Sequence, residues 1–147
     1  NMASLAVAAS GATNPATGME IAQVAAGCME VGVGLHGEKG NAKPLQTAEA
    51  TVTLMLDALL EDLNVLPEEK LLVLVSGSGA TTLMEQLIIF RNCYAYLAEK
   101  NIEIVASHVG ELMTVQEMAG FEICIARMNE ELLKYWNAPC YTPYFKK

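Results

Sequence analysis

The segment KLLVLVSG at residues 70–77 constrains the fold of this 147-residue chain more than any other stretch. Five consecutive apolar residues leave the predicted strand without a polar face. Such a strand is typical of the interior of a sheet, where other elements cover it. Helical patterns on both sides of it can supply that cover, so the segment indicates an α/β protein.

Two long helices are predicted around this strand. Residues 44–66 place apolar side chains at helical spacing with acids on the other face, and Pro67 ends the pattern. Residues 81–100 follow a glycine-rich turn, with Thr81 or Thr82 as N-cap and Glu85 close behind. Shorter helices are expected at 114–120, closed by Gly120, and at 129–136, beginning at Asn129.

Strands are predicted between these helices, at 4–10, 28–36, 70–77, 102–110 and 121–128. The loop GATNPATG occupies 11–18, and Pro139 and Pro143 make the C-terminal tail a turn-rich strap. Five strands and four helices with long helical crossovers predict a mixed sheet in a single α/β domain.

Composition narrows the function classes. Hydrophobic residues make up 52% and charged residues 18%, which is typical of a folded domain. A net charge of −8 argues against nucleic acid or an anionic membrane surface as partner. The chain has no 18-residue apolar run and no basic region before its first apolar segment, so neither a membrane span nor a signal peptide is expected. Its first residues, NMASLAVAAS, enter a strand at once, and we expect a fragment that lacks a preceding half.

The four cysteines indicate neither a metal site nor a disulfide framework. Cys28, Cys93, Cys124 and Cys140 form no CxxC pair and no Cys/His cluster with zinc spacing. Three of them lie in apolar runs, as reduced and buried cysteines do, which favours a cytosolic protein.

One of the two histidines has an unusual setting. His36 lies in GVGLHGEKG, residues 32–40, with four glycines around it at the end of an alternating strand. Ligands of α/β sheets gather at strand ends, and glycines clear room around the imidazole. The pattern leaves a functional and a structural role equally open. His108, near another strand end, reads as a structural histidine.

The turn SGSGAT at 76–81 is the second candidate. It follows a buried strand and opens a helix, which offers backbone N–H groups to an anion. It lacks the lysine of a Walker A loop and a full GxGxxG pattern, so a plain strand-to-helix turn and a contact with a phosphate or partner both stay open. Glu111, Glu117 and Glu122 suggest solvated faces, and the serines lack the complete GxSxG pattern of a hydrolase.

Three motifs decide between these alternatives. MEVGVGLHGEKG resembles ME-x-G-x-G-I-H-G-E-P-G, LVLVSGSGATTLMEQ resembles LVNGLGATPLSEL, and the segment from HVGELMTVQEMAGF to NAPCYTP resembles a third motif in the same order and spacing. All three are similar to the dihydroxyacetone kinase substrate-binding subunit family, and the resemblance covers nearly the whole chain.

The resemblance implies a role for His36. In that family the histidine of this motif attacks the substrate's carbonyl carbon and forms a covalent hemiaminal; neighbouring Gly34 and Gly37 would contact the substrate. No metal is expected in this chain. The family's activity is phosphoryl transfer to dihydroxyacetone (glycerone), in glycerol metabolism.

The resemblance also implies a division of labour. Residues 1–147 correspond to the second of the family's two domains, a two-layer mixed sheet with helices, and the N-terminal domain is missing. ATP or ADP with magnesium is expected on a separate helical domain or subunit, so this chain alone would be an incomplete kinase. A cytoplasmic homodimer is implied.

Some residues depart from the family pattern. Lys39 replaces the proline of H-G-E-P-G, and Ser76 and Ser78 replace an asparagine and an apolar residue. Three functions therefore remain: part of a kinase, a non-catalytic paralogue that captures the ketone and acts as co-activator of a transcription regulator, or a plain interaction domain. The phosphoryl donor is also open between ATP and a phosphotransferase relay.

Overall fold

The computed structural model describes residues 1–34, 38–112 and 116–147. In these ranges the chain forms eight strands and three helices. Their bounds are β1 Met2–Ala8, β2 Ala12–Thr13, β3 Glu20–Ile21, β4 Cys28–Val31, β5 Asn41–Pro44, α1 Ala48–Leu63, β6 Lys70–Gly77, α2 Leu83–Glu99, β7 Glu103–Gly110, β8 Gly120–Arg127 and α3 Glu130–Trp136.

Six strands form one mixed sheet in the order β5-β4-β1-β8-β6-β7. Strands β6 and β7 are parallel and are joined through α2, whereas the other neighbouring pairs are antiparallel. Strands β2 and β3 pair as a separate small hairpin. The prediction of a mixed α/β sheet is confirmed.

Local signals set the ends of the two long helices. The Thr47 side chain accepts a hydrogen bond from the Ala50 N–H at the start of α1, and Asn64 ends this helix in the left-handed conformation at φ 50°. Helix α2 begins after Thr82, which forms a capping box with Glu85. The capping box at Thr82 therefore decides between the two N-caps that the sequence left open.

The main hydrophobic core lies between the sheet and these two helices. Successive strand residues point to opposite faces, and Leu71, Val73 and Val75 of β6 turn their fully buried side chains into this core. The partners from the other elements are Val7, Val52, Met55, Leu56, Leu59, Ile89, Cys93, Leu97, Ile123 and Ile125.

The second face of the sheet is covered differently. At one end, Ala8, Ala12 and Met118 form a smaller apolar cluster, which we call the minor cluster. At β7, the ring of Phe145 meets that of His108 edge-on at 5.0 Å, so the C-terminal hairpin that carries Phe145 reaches this face. The apolar strand β6 is thus covered on both sides, by helices on one face and by short segments on the other.

Some predicted elements differ from the structure. The helix expected at 114–120 is wrong for its described part: residues 116–119 are irregular, and Gly120 begins strand β8. The strand expected at 28–36 ends at Val31, and residues 41–44, partly assigned to a helix, form β5. The loop expected at 11–18 contains β2. At Gly120 a short local pattern gave way to pairing with the distant strand β1, whereas β2 and β4 pair with the nearby strands β3 and β5.

The cysteines are unpaired, as expected. Burial raises the pKa of the Cys93 thiol to about 12, which makes it an inert part of the core. Cys28 and Cys124 are only partly buried and Cys140 is exposed. In the described ranges, no helix has the length and apolar character needed to cross a lipid bilayer.

We expect Gly120 to tolerate no side chain. A Cβ there would overlap the carbonyl oxygen of Val7 and lie 3.1 Å from the Ala8 Cα, both backbone atoms that cannot move without opening the sheet. Gly120→Ala should lower the free energy of unfolding by about 3 kcal/mol. Gly110→Ala is the matched control, because its Cβ would meet only the His108 side chain at 3.5 Å. Urea denaturation measures both, and equal effects would contradict the close approach.

Candidate functional site

The predicted site residue Gly34 lies in the described structure, whereas His36 and Gly37 lie outside the described residues. The structure does describe both ends of the segment that carries His36. The Gly34 N–H donates a hydrogen bond to the Glu38 carbonyl oxygen at 3.1 Å. This hydrogen bond joins the two described residues, Gly34 and Glu38, that flank positions 35–37.

The glycines of this segment have conformational reasons of their own. Gly32 adopts φ 88°, which disfavours any side chain. A Cβ at Gly34 would lie 2.7 Å from the Glu38 Cβ, and one at Gly40 would lie 2.9 Å from the Val31 carbonyl oxygen. Backbone geometry thus accounts for Gly32 and Gly40, and the Glu38 side chain accounts for Gly34, whatever the segment binds.

Val33 attaches the base of this segment to the rest of the protein. Its side chain packs against the minor cluster of Ala8, Ala12 and Met118. Ala8 neighbours Val7 of the main core, and alternation along β1 places the two side chains on opposite faces of the sheet. The His36 segment therefore starts from the face that α1 and α2 do not cover.

Met118 connects the same cluster to the SGSGAT turn. Its carbonyl oxygen accepts a hydrogen bond from the Ala80 N–H at 3.1 Å, and Gly79 and Met118 pair as an isolated parallel bridge. Val33 and the SGSGAT turn, about 45 residues apart in sequence, therefore both contact the minor cluster, the turn through Met118. Sequence reasoning gave no signal for Met118.

The N–H groups of the turn are used within the protein. Ser78 donates to the Gly120 carbonyl at 3.1 Å, Ala80 to Met118, and Gly79 to the Glu111 carboxylate at 3.2 Å. Gly79 has φ 95°, so the turn requires glycine here. A carboxylate of this chain already takes the position that a phosphate would need, which supports the structural interpretation of the turn.

Glu111 is therefore more than a solvated side chain, and that expectation is wrong. Besides Gly79, its carboxylate accepts a hydrogen bond from the Gln86 amide, and its backbone carbonyl accepts one from the Tyr144 hydroxyl. A Cβ at Gly77 would displace the Glu111 carboxylate and the Gln86 amide, so glycine there preserves their hydrogen bond. Glu117, also expected to be solvated, accepts a hydrogen bond from the Thr13 N–H at 2.5 Å.

Gln86 holds the start of α2 against Glu111. Its Nε2 donates to Glu111 and, at 2.8 Å, to the Thr81 carbonyl. Because both neighbours are acceptors, the orientation of the amide is fixed. Among the described residues, its buried Oε1 has no hydrogen-bond partner. Sequence reasoning missed Gln86. The one available signal was an uncharged polar side chain on the inward face of an apolar helix.

Among the described residues, no group of three or more His, Cys, Asp or Glu side chains could hold a metal ion. His108 of β7 lies against the ring of Phe145. Among the described residues, the site thus consists of groups that hold the SGSGAT turn and the flanks of the His36 segment, and the N–H groups of that turn are used within the protein.

A mixed sheet with its main core under α1 and α2, and with the minor cluster on the other face, defines a small α/β domain. The family model that matches is the Dak1 domain, over residues 1–144. The chain belongs to this family.

Similar relatives and solved structures support this family assignment. The chain is 36% identical over 147 residues to the dihydroxyacetone-binding subunit of a PTS-dependent dihydroxyacetone kinase from Listeria innocua, covering 99% of this chain and 44% of that protein. It is 34% identical over 144 residues to a D-erythrulose kinase from Mycolicibacterium smegmatis, covering 97% of this chain and 25% of the relative. The dihydroxyacetone kinase of C. freundii matches with TM-score 0.71 at 29% identity, over 91% of this chain and 25% of that one. The chain therefore spans less than half the length of these relatives.

Removal of the Glu111 carboxylate should loosen the SGSGAT turn. Glu111→Ala leaves the Gly79 N–H and the buried Gln86 amide without their acceptor, and we expect a loss of about 2 kcal/mol in the free energy of unfolding. Glu61→Ala on the exposed side of α1 is the control, with an expected change within about 0.5 kcal/mol. A loss no larger than in the control would show that the carboxylate only occupies the surface.

Proposed function

We propose that this chain is the ketose-capturing part of a kinase for dihydroxyacetone or a similar short ketose, and that His36 holds the substrate as a covalent hemiaminal. The observation that carries the proposal is the family match over residues 1–144, a range that includes His36. The hydrogen bond from the Gly34 N–H to the Glu38 carbonyl supports it, because it ties together the two described residues that flank positions 35–37.

The bond follows from ordinary carbonyl chemistry. The lone pair of a neutral imidazole nitrogen adds to the carbonyl carbon, and the π electrons of C=O move to the oxygen. That oxygen takes up one proton while the ring loses its own N–H proton, so the addition is balanced and needs no oxidant or reductant. It is reversible and forms no other product.

This bond would select the substrate. Glycerol and other polyols have no carbonyl carbon, so they cannot form the adduct. Kinases of dihydroxyacetone and of erythrulose both occur among the relatives. Those ketones share a hydroxymethyl group next to the carbonyl, and a fixed carbonyl carbon would hold that terminal hydroxyl in one orientation for phosphoryl transfer.

The phosphoryl donor belongs to another part of the assembly in this proposal. Several relatives are named as PTS- or PEP-dependent kinase subunits, and others are single kinases of which this chain covers about a quarter. ATP or ADP with magnesium, or a phosphotransferase relay, would act from a domain or subunit that the described residues do not include. We also propose that this activity is cytoplasmic.

A second function is capture without transfer, as in a sensor that acts as co-activator of a transcription regulator. Lys39, Ser76 and Ser78 depart from the kinase motif and favour this alternative. Ser76 is a structural departure, because its hydroxyl donates to the Gly77 carbonyl and accepts from the Leu112 N–H inside the fold. The departures leave His36 itself in place, so the proposed capture step applies under either function.

The capture step can be tested with the two histidines. Incubation with dihydroxyacetone and native mass spectrometry should show one added ketose per chain. His36→Ala should abolish the adduct, since it removes the nucleophile, and should retain the wild-type melting temperature. His108→Ala is the matched control and should retain the adduct. An adduct that persists in His36→Ala, or that forms equally with glycerol, would contradict the proposal and leave a plain interaction domain.

The division of labour gives a separate prediction. The purified 147-residue chain with ATP, magnesium and dihydroxyacetone should show no phosphorylated ketose above the rate without protein, because its sequence has no lysine-bearing phosphate loop. The control is the same chain supplied with a helical nucleotide-binding subunit and a dihydroxyacetone-binding N-terminal domain from a relative. Turnover by the chain alone would contradict this division, whereas the capture step would stand.

A further inference from the structure

The start of the segment that carries His36 is attached to the sheet through Gly32 and Val33. The Gly32 N–H donates a hydrogen bond to the Ala6 carbonyl oxygen of β1 at 2.8 Å. The Val33 side chain then packs against the minor cluster. Because Val33 lies three residues before His36, the position of Val33 limits where the histidine can lie.

Met118 is the largest member of the minor cluster. Its side chain is buried, and the other two buried members, Ala8 and Ala12, carry one methyl group each. Met118 therefore supplies most of the apolar volume that these three residues offer to Val33. Truncation of a buried methionine to alanine leaves a cavity, which the neighbouring methyl groups are too small to fill.

The backbone around Met118 is fixed from two directions. The Ala80 N–H of the SGSGAT turn donates to the Met118 carbonyl oxygen at 3.1 Å. From the side of β1, the Ser10 hydroxyl accepts a hydrogen bond from the Ala119 N–H at 2.8 Å. These bonds involve main-chain atoms of residues 118 and 119, so they stay in place when the Met118 side chain is shortened. The loss of that side chain would then act on Val33.

From these contacts we infer that Met118 is a positioning residue for ketose capture, because its side chain fixes Val33 and with it the start of the segment from which His36 reacts. This inference rests on the proposed function. The apparent affinity for a ketose scales with the fraction of molecules whose segment is in the reactive arrangement. Met118 raises that fraction, and the nucleophile remains His36.

Titration of the 147-residue chain with dihydroxyacetone, read by native mass spectrometry, tests this role. Met118→Ala should raise the ketose concentration at half-maximal adduct at least about tenfold. Saturating ketose should still give one adduct per chain, since His36 is unchanged. Met118→Leu should restore the wild-type value, because it conserves most of the side-chain volume. Circular dichroism sets a temperature at which every variant is folded.

Met55→Ala is the matched control. Met55 is a fully buried methionine of α1, and it belongs to the main core on the opposite face of the sheet. Its truncation should lower the melting temperature at least as much as Met118→Ala does, and it should leave the titration unchanged. Ile89→Val, a smaller truncation in the same core, takes its place where Met55→Ala does not fold.

Hydrogen exchange gives a second readout, which needs no ketose. The Gly34 N–H is bonded to the Glu38 carbonyl oxygen, so its exchange rate reports on local opening of the segment. Met118→Ala should accelerate this exchange at least about tenfold relative to the main-core control, whereas Met118→Leu should not.

The outcomes separate this role from the capture step itself. The inference would be overturned by an unchanged titration or unchanged Gly34 exchange in Met118→Ala, by an equal loss of affinity in the main-core control, or by a Met118→Leu variant as weak as Met118→Ala. In each of these cases the wild-type chain still forms its adduct, and the proposed function stands. A wild-type chain that forms no adduct would overturn the proposed function, and the role of Met118 with it.

Discussion

The close approach of the backbone at Gly120 constrains both the antiparallel part of the sheet and the strand-turn-helix unit of β6 and α2. At this point β1 and β8 come so near that a Cβ would overlap the Val7 carbonyl oxygen. The same residue is held by Thr81, whose hydroxyl donates to the Gly120 carbonyl at 2.6 Å and accepts from its N–H at 3.0 Å. One glycine therefore joins the antiparallel part of the sheet to the strand-turn-helix unit of β6 and α2.

This junction explains why the SGSGAT turn contains no open anion site. The turn lies against the start of β8, and its N–H groups reach the Gly120 carbonyl, the Met118 carbonyl and the Glu111 carboxylate. The N–H groups ahead of α2 thereby hold a loop of the same chain, while Thr82 and Glu85 cap the helix itself. A turn of identical sequence could bind phosphate in another fold; here the surrounding carbonyl groups and one carboxylate decide its role.

The sequence predicted those elements whose patterns are long and continuous. Residues 70–77 form β6 with the predicted bounds, and the 81–100 helix begins at one of the two threonines expected, because apolar burial and capping act locally. The segment 114–120 failed since pairing of Gly120 with Ala8, more than a hundred residues away, outweighs a local helical pattern. Glu111 was misjudged for the same reason: its hydrogen-bond partners lie 25 and 32 residues away along the chain.

The candidate site shows the same division between local and distant information. The glycines of residues 32–40 suggest from the sequence the approach of a substrate, yet Gly32 and Gly40 have backbone reasons in the structure, and Gly34 is crowded by the Glu38 side chain. A glycine-rich frame is therefore weak evidence for a ligand by itself. The weight of the proposal rests on His36 and on the family match, and the adduct experiment addresses that residue directly.

The two faces of the sheet separate the main core from the start of the segment that carries His36. The main core lies on the helix face, whereas Val33 packs against the minor cluster on the other face. Under the proposed function, substitutions in the segment would then change capture without disturbing the residues that dominate the free energy of folding.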